Sequence, residues 1–433
     1  MNKLALLALL ALTAGLCGCA IPGRSVEPLA TPPGSLVLER PPPQPAAPAR
    51  MVRPEAVAVP QGWVVEVAAS GLDRPDAVAF DEAGRLHVVE QGDRGSRLVR
   101  IDGGATIPVA AGSGVWTGLD HWRGSFYVAE ARGALLRITS DGSVTALADR
   151  LPSGEHGTSG PAIGPDGWVY FGQGTVTNAG VAGASGGHDV PCHDLILEGR
   201  NYPAADPRTG AFSPYGKPTA EGEVVFGQVP CSGAVLRVPP GGGPVELVAW
   251  GLRNPVGMAF APNGRLHVSD QGFQPRGARP VPEGGTMLWA ITWGAWYGWP
   301  DWVAGRPVAE PVLSDHPNRP PMPLAVLSAG SSGLDFSRAT AFGAPGLAFV
   351  ADHDPDAAWP GRGRLLAIDP STGETRDFAV NRAPMGGLER PIAVRFDPSG
   401  TALHLVDSGL IENGVVKPGT GVVWRIRRGE GGR

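Results

Sequence analysis

Four short segments, far apart along the chain, carry side chains suited to binding an anion or moving a proton: Arg74, Glu155-His156, Arg253-Asn254 and Arg390. An imidazole changes charge close to neutral pH, so it can take a proton from a hydroxyl without being held ionised itself. Guanidinium groups are planar, permanently charged and matched to carboxylates. One imidazole among several guanidinium groups is an anion-binding constellation with a candidate base, provided the fold brings them together. Arginines in this setting also brace loops through backbone contacts. For Arg74 taken alone that bracing role is the favoured reading, whereas Arg253 beside Asn254 favours a site.

The elements that would assemble these segments form a repeat. A Gly- or Arg-Pro-containing turn leads into a short apolar strand, a tight turn and a second strand, which ends in an acidic residue or glycine. The phrase is clearest at Arg74-Pro75 with Ala77-Val78-Ala79-Phe80, at Arg253-Asn254-Pro255 with Gly257-Met258-Ala259-Phe260, and at Arg390-Pro391 with Ala393-Val394-Arg395-Phe396. Weaker copies begin at Trp116, Gly160 and Leu334. Turns such as Asn263-Gly264 and Ser399-Gly400 supply the positive φ that hairpins need. Six hairpin pairs followed by outer strands predict an all-β protein, a six-bladed β-propeller over residues 61–428. The last strand, Val422 to Ile426, is placed to pair with the first, Trp63 to Val67, and so close the ring. Long insertions are expected after blade three (residues 175–230) and blade four (residues 271–330), where loops on a rigid scaffold commonly build sites. In such a ring the segment before each blade's first strand lands at one rim of the channel, so the four segments would converge.

The rest of the sequence bounds the setting. With 433 residues, 64 glycines, 45 prolines and a net charge of −5, no basic face advertises nucleic acid. Lys3 followed by an apolar run to Leu16 reads as a signal peptide, residues 1–18. Leu16-Cys17-Gly18-Cys19 resembles the lipobox of bacterial lipoproteins, with Cys19 as the lipidated residue. The chain is therefore expected in the cell envelope, lipid-anchored on the periplasmic or extracellular side of a bacterial membrane. Residues 19–60 are rich in proline and read as a stalk, and 429–433 as a disordered tail. Cys192 and Cys231 remain after processing and are expected to pair in an oxidising compartment.

Glu155-His156-Gly157-Thr158-Ser159-Gly160 followed by Ile163-Gly164-Pro165-Asp166-Gly167 resembles the catalytic-histidine segment of soluble pyrroloquinoline-quinone (PQQ) sugar dehydrogenases. Gly251-Leu252-Arg253-Asn254-Pro255 resembles their cofactor-binding motif. Asp270-Gln271-Gly272 and Trp296-Tyr297-Gly298-Trp299-Pro300-Asp301 are similar to the stretch that follows, and the insertion holding Cys192 and Cys231 is closer to the sorbosone dehydrogenase branch. The resemblance spans residues 60–428 and implies an oxidoreductase that oxidises a sugar or sugar-derived aldehyde with PQQ and calcium and passes electrons to an external quinone or cytochrome. It further implies His156 as general base oriented by Glu155, PQQ held by Arg253, Asn254 and Arg390, and calcium held by the backbone carbonyls of Gly272 and Phe273.

The sequence departs from that pattern in places. Gly284 to Trp289 carries no acidic residue, so the resemblance does not extend to a second calcium site. The blade-five segment Ala351-Asp352-His353-Asp354-Pro355 has no lysine where the glucose enzymes present one to the cofactor. The competing reading is a non-catalytic surface lipoprotein whose propeller rim binds carbohydrate or a protein partner. Calcium-dependent lactone hydrolysis would require converging carboxylates, which the sequence does not offer.

Overall fold

In the computed structural model, residues 50–184, 186–353 and 363–429 are described. The signal peptide, Cys19, most of the proposed stalk, Asp354-Pro355 and residues 430–433 lie outside them.

Six sheets of at least four strands follow one another around the ring, as the repeat predicts. Their inner strands are Pro75–Phe80, Trp116–Trp122, Thr158–Ile163, Pro255–Phe260, Leu334–Phe336 and Pro391–Phe396. Each pairs antiparallel with a second strand that is almost wholly buried, such as Leu86–Gly92 in blade one and Ala402–Asp407 in blade six. Apolar side chains from neighbouring blades interleave between the sheets; one cluster joins Val78 and Val88 of blade one to Val406 and Val423 of blade six. Burial between sheets supplies the main stabilising force, and the radial arrangement leaves only short edges at the outermost strands. Closure takes the expected form: Trp63–Leu72 is the outermost strand of blade six, with Val67 opposite Trp424 and Trp63 opposite Arg428.

Two expectations change. The long insertions interrupt blades three and four instead of following them. The first lies between the second and third strands of blade three, Val169–Gln173 and Ala234–Val238; the second is split around Thr286–Ala290 of blade four. They share one core in which Leu195, Leu197 and Phe212 of the first pack with Trp296, Trp299, Val312 and Leu313 of the second. A buried ion pair, Arg279 to Asp301 at 2.6 Å, clasps the second insertion, and Arg279 also donates to the carbonyl of Ala179 in the first. The aromatic cluster of this region is structural: Trp289, Trp296, Tyr297 and Trp299 are buried and do not line the channel cavity described below.

The second change concerns the stalk. Residues 50–60 belong to the propeller: Pro54–Ala56 form a 3-10 turn, and Val57–Ala58 add a fifth strand to blade five beside Asn381 and Val380. Arg50 reaches a fully buried carboxylate, Asp407, at 2.7 Å. Composition suggested solvated chain because it counts prolines, whereas a single arginine with a buried counter-charge fixes the segment.

Cys192 and Cys231 are disulfide-bonded across 39 residues, as expected for that pair. Replacing both by serine should lower stability by about 2–4 kcal/mol, because the bridge limits the conformations of the unfolded insertion. Urea unfolding of the variant beside the oxidised parent measures the difference.

Candidate active site in the propeller channel

In blades one, three, four and six a polar side chain at the end of the second strand turns back to hold the segment leading into its own blade. Asp270 accepts the backbone N–H of Arg253 at 3.0 Å and of Asn254 at 2.7 Å. Asp407 accepts those of Glu389 and Arg390 at 2.8 and 2.9 Å. Glu90 accepts that of Asp73, and Gln173 accepts the Thr158 hydroxyl, each at 2.8 Å. The acidic position noted in the repeat is thus the device that sets the rim loops. Carboxylates accepting several backbone N–H groups are strong anchors.

A bulge then follows each proline that opens an inner strand: pairing shifts between Pro75 and Ala77, Pro255 and Gly257, and Pro391 and Ala393. A bulge re-aims side chains at the end of a ladder. Here both neighbours of the proline reach the channel, Arg74 and Asp76, Asn254 and Val256, Arg390 and Ile392. The cavity they line measures about 490 Å³ and also takes in Glu155, His156, Thr117, Gln271 and His353. Its size falls in the ~300–1,000 Å³ range of small-molecule sites.

His156 is placed by a backbone ladder. Its N–H bonds the carbonyl of Thr175 at 3.1 Å, and the N–H of Thr175 bonds the carbonyl of Arg253 at 2.8 Å. Gly174 is required at this approach: a Cβ there would sit 2.4 Å from the His156 Cβ and 3.1 Å from Asn254 Oδ1. Nε2 of His156 is buried without a hydrogen-bond partner. Burial, followed by the charges of Arg253 and Arg276, holds the imidazole well below its ordinary pKa and hence neutral at pH 7. A neutral imidazole on a cavity wall, with a ring nitrogen that no protein group engages, is able to accept a proton there in the tautomer that leaves the lone pair on that nitrogen. Asn254 presents its side chain beside it, steadied by a 2.8 Å bond from Nδ2 to Gln271 Oε1.

Two residues expected at the site act differently. Arg253 does not line the cavity; it is 2% exposed, and its guanidinium bonds Asn178, at 2.7 Å to Oδ1, and the carbonyl of Gln271. Counting from the proline explains this: the channel-facing position is the one directly before it, occupied by Arg74, Asn254 and Arg390, and Arg253 is one residue earlier, level with Asp73 and Glu389. Glu155 does not orient the imidazole. Its carboxylate pairs with Arg276 at 3.0 Å at the cavity mouth. Arg390 is where it was expected, half-buried in the wall, with Nε lacking a partner.

Gly272 and Phe273 follow Gln271, the last residue of its strand to line the cavity, and are not themselves in its wall. The Phe273 carbonyl accepts the Gly284 N–H at 2.8 Å, which leaves one lone pair. Among the described residues no three His, Cys, Asp or Glu side chains converge to hold a metal.

Below the cavity, Arg395 of blade six ion-pairs with Asp120 of blade two. Its side chain also lines a second cavity of about 870 Å³ at the other mouth, so the two meet at this arginine. Asp120 and Asp335 each anchor the following blade's inner strand, through the N–H of Ile163 and of Phe396, both at 2.8 Å.

No protein-family model and no curated protein match this sequence. Solved structures do match in fold. A glucose dehydrogenase-type oxidoreductase of Thermus thermophilus is 23% identical, with 84% of this chain and 100% of that one covered at a TM-score of 0.56. The PQQ-bound aldose sugar dehydrogenase of Streptomyces coelicolor is 20% identical over 86% and 99%, at 0.55. A calcium structure of a Trichoderma reesei carbohydrate-active enzyme of family AA12 is 14% identical over 89% and 100%, at 0.58. At these identities the likeness is one of fold.

Proposed function

We propose that this chain is a quinoprotein dehydrogenase that oxidises a sugar, or the hydrate of a sugar-derived aldehyde, with PQQ and calcium. The observation that carries the reading is the unpartnered, buried Nε2 of a neutral His156 in a cavity shared with Asn254 and Arg390. The fold neighbours, a PQQ-bound sugar dehydrogenase and a calcium-bound enzyme among them, favour the same chemistry.

The residues present fit PQQ. Arg390, with a free buried Nε, would pair with one of its carboxylates, and Asn254 would hydrogen-bond a quinone oxygen. Calcium fits less fully: the Gly272 and Phe273 carbonyls are hard oxygen donors of the right kind, but its other ligands would come from the cofactor and water. When bound, PQQ supplies the two-electron hydride acceptor. His156 removes the hydroxyl proton through Nε2 as the substrate carbon loses hydride. Arg253 acts through His156, its charge helping to keep the imidazole neutral. The two electrons leave to an external quinone or cytochrome. Cys19 would tether the enzyme by acyl chains to the periplasmic or extracellular side of a bacterial membrane.

Reconstitution with PQQ and calcium, followed by dye reduction over an aldose and aldehyde panel, tests the reading. Turnover is expected with at least one aldose. No turnover across the panel together with no PQQ binding by calorimetry would overturn it. The pH profile gives a second check. A lowered imidazole pKa keeps the base neutral as pH falls, so the acidic limb of kcat should lie below pH 6.5, the ordinary histidine value.

A further inference from the structure

Asp76 stands directly after the blade-one proline, where the equivalent positions of blades four and six carry Val256 and Ile392; all three line the cavity. A carboxylate in place of an aliphatic side chain calls for donors, yet among the described residues Asp76 has a single side-chain bond, from Gln91 Nε2 at 2.8 Å. Arg390 enters the same wall from the neighbouring blade and forms no ion pair among the described residues, its Nε buried and unpartnered. Opposite charges thus share a wall without joining.

The other ionisable groups of the cavity are ion-paired or neutral, although Arg74, like Arg390, keeps a buried Nε without a partner. Arg74 bonds Asp93 at 2.5 Å, Glu155 pairs with Arg276, and Arg395 pairs with Asp120. Burial lowers the pKa of both His156 and His353. Desolvation pushes Asp76 up to about 7 against the pull of Arg390. Asp76 is therefore the wall group whose charge changes near neutrality.

We propose that Arg390 and Asp76 form a two-part receptor for a carboxylate, in which Arg390 pairs with the anion while Asp76, as the acid, donates a hydrogen bond to it. Binding then takes one proton from solvent onto Asp76 and makes or breaks no other covalent bond. The inference rests on the PQQ reading for its first ligand; a carboxylated sugar presents the same group and is the second source.

Calorimetry in two buffers of different ionisation enthalpy, at pH 8 and saturating calcium, counts the protons. PQQ binding to the wild-type protein should take up about one proton and weaken about tenfold per pH unit between pH 8 and 9. Asp76→Asn should take up none and show a flat pH dependence. Uptake on adding glucuronate to PQQ-loaded protein, and not on adding PQQ, would assign the receptor to the substrate. PQQ binding with no proton uptake in either titration would overturn the receptor and leave the PQQ reading intact. Absence of PQQ binding at every pH would overturn both. The wild-type proton count stands whether or not the variant folds.

Discussion

Replacing His156 by asparagine should lower kcat of the PQQ- and calcium-reconstituted protein by about 10²–10⁴-fold, the usual contribution of a positioned general base. PQQ affinity, measured by calorimetry, should stay close to that of the parent. The two expectations separate because Nε2 has no protein partner: its removal leaves no donor or acceptor in the protein unsatisfied. Asparagine also keeps the Cβ that Gly174 accommodates. Added imidazole should restore part of the rate, and a solvent-borne base should move the acidic limb toward its own pKa. Undiminished turnover in the variant would remove His156 from the chemistry. A propeller that only binds carbohydrate would instead lose nothing measurable.

The second large effect is expected far from the cavity. Arg50→Ala should destabilise the protein by about 3–5 kcal/mol, the cost of leaving a buried charge without its partner. Side chains of Arg50 and Asp407 are 3% and 0% exposed, so solvent cannot replace the guanidinium. Arg50 also donates to the carbonyls of Thr420 at 3.1 Å and Gly387 at 2.5 Å. The same Asp407 holds the backbone N–H groups of Glu389 and Arg390, so PQQ affinity should fall with stability. Urea unfolding measures the first effect and calorimetry the second. Exposed Arg53 is the control: Arg53→Ala should change stability by no more than about 0.5 kcal/mol. Equal, small effects of the two substitutions would show that residues 50–60 are not part of the folded unit.

Much of this architecture is legible in the sequence because a propeller repeats its physics. Hairpin turns and buried strand pairs recur, so the six blades and the pairing of Trp63–Leu72 with the last strand can be read directly. His156 and Arg390 follow from repeat phase. What phase leaves open is where a side chain points. Arg253 and Asn254 are adjacent, yet only Asn254 enters the cavity; using the proline as origin, with the bulge after it, separates them and also picks out Asp76. Asn178 offered no signal, because it lies in a glycine-rich insertion with no repeat to index it, although it takes the guanidinium of Arg253. Glu155 sits beside His156 in sequence, but Arg276 from another blade takes its charge. Arg50 was hidden by the prolines around it.

The arginine between the two channel cavities, Arg395, has a consequence for traffic. A site with a floor fills from the top: whatever rests deepest must enter first and leave last. A planar cofactor lying against Arg390 and Asn254 would become the base on which each sugar lands, and every product would depart past the same rim that admitted its precursor. Each product must then clear that rim before the next substrate can enter, whereas an open pore would let the two move through in file.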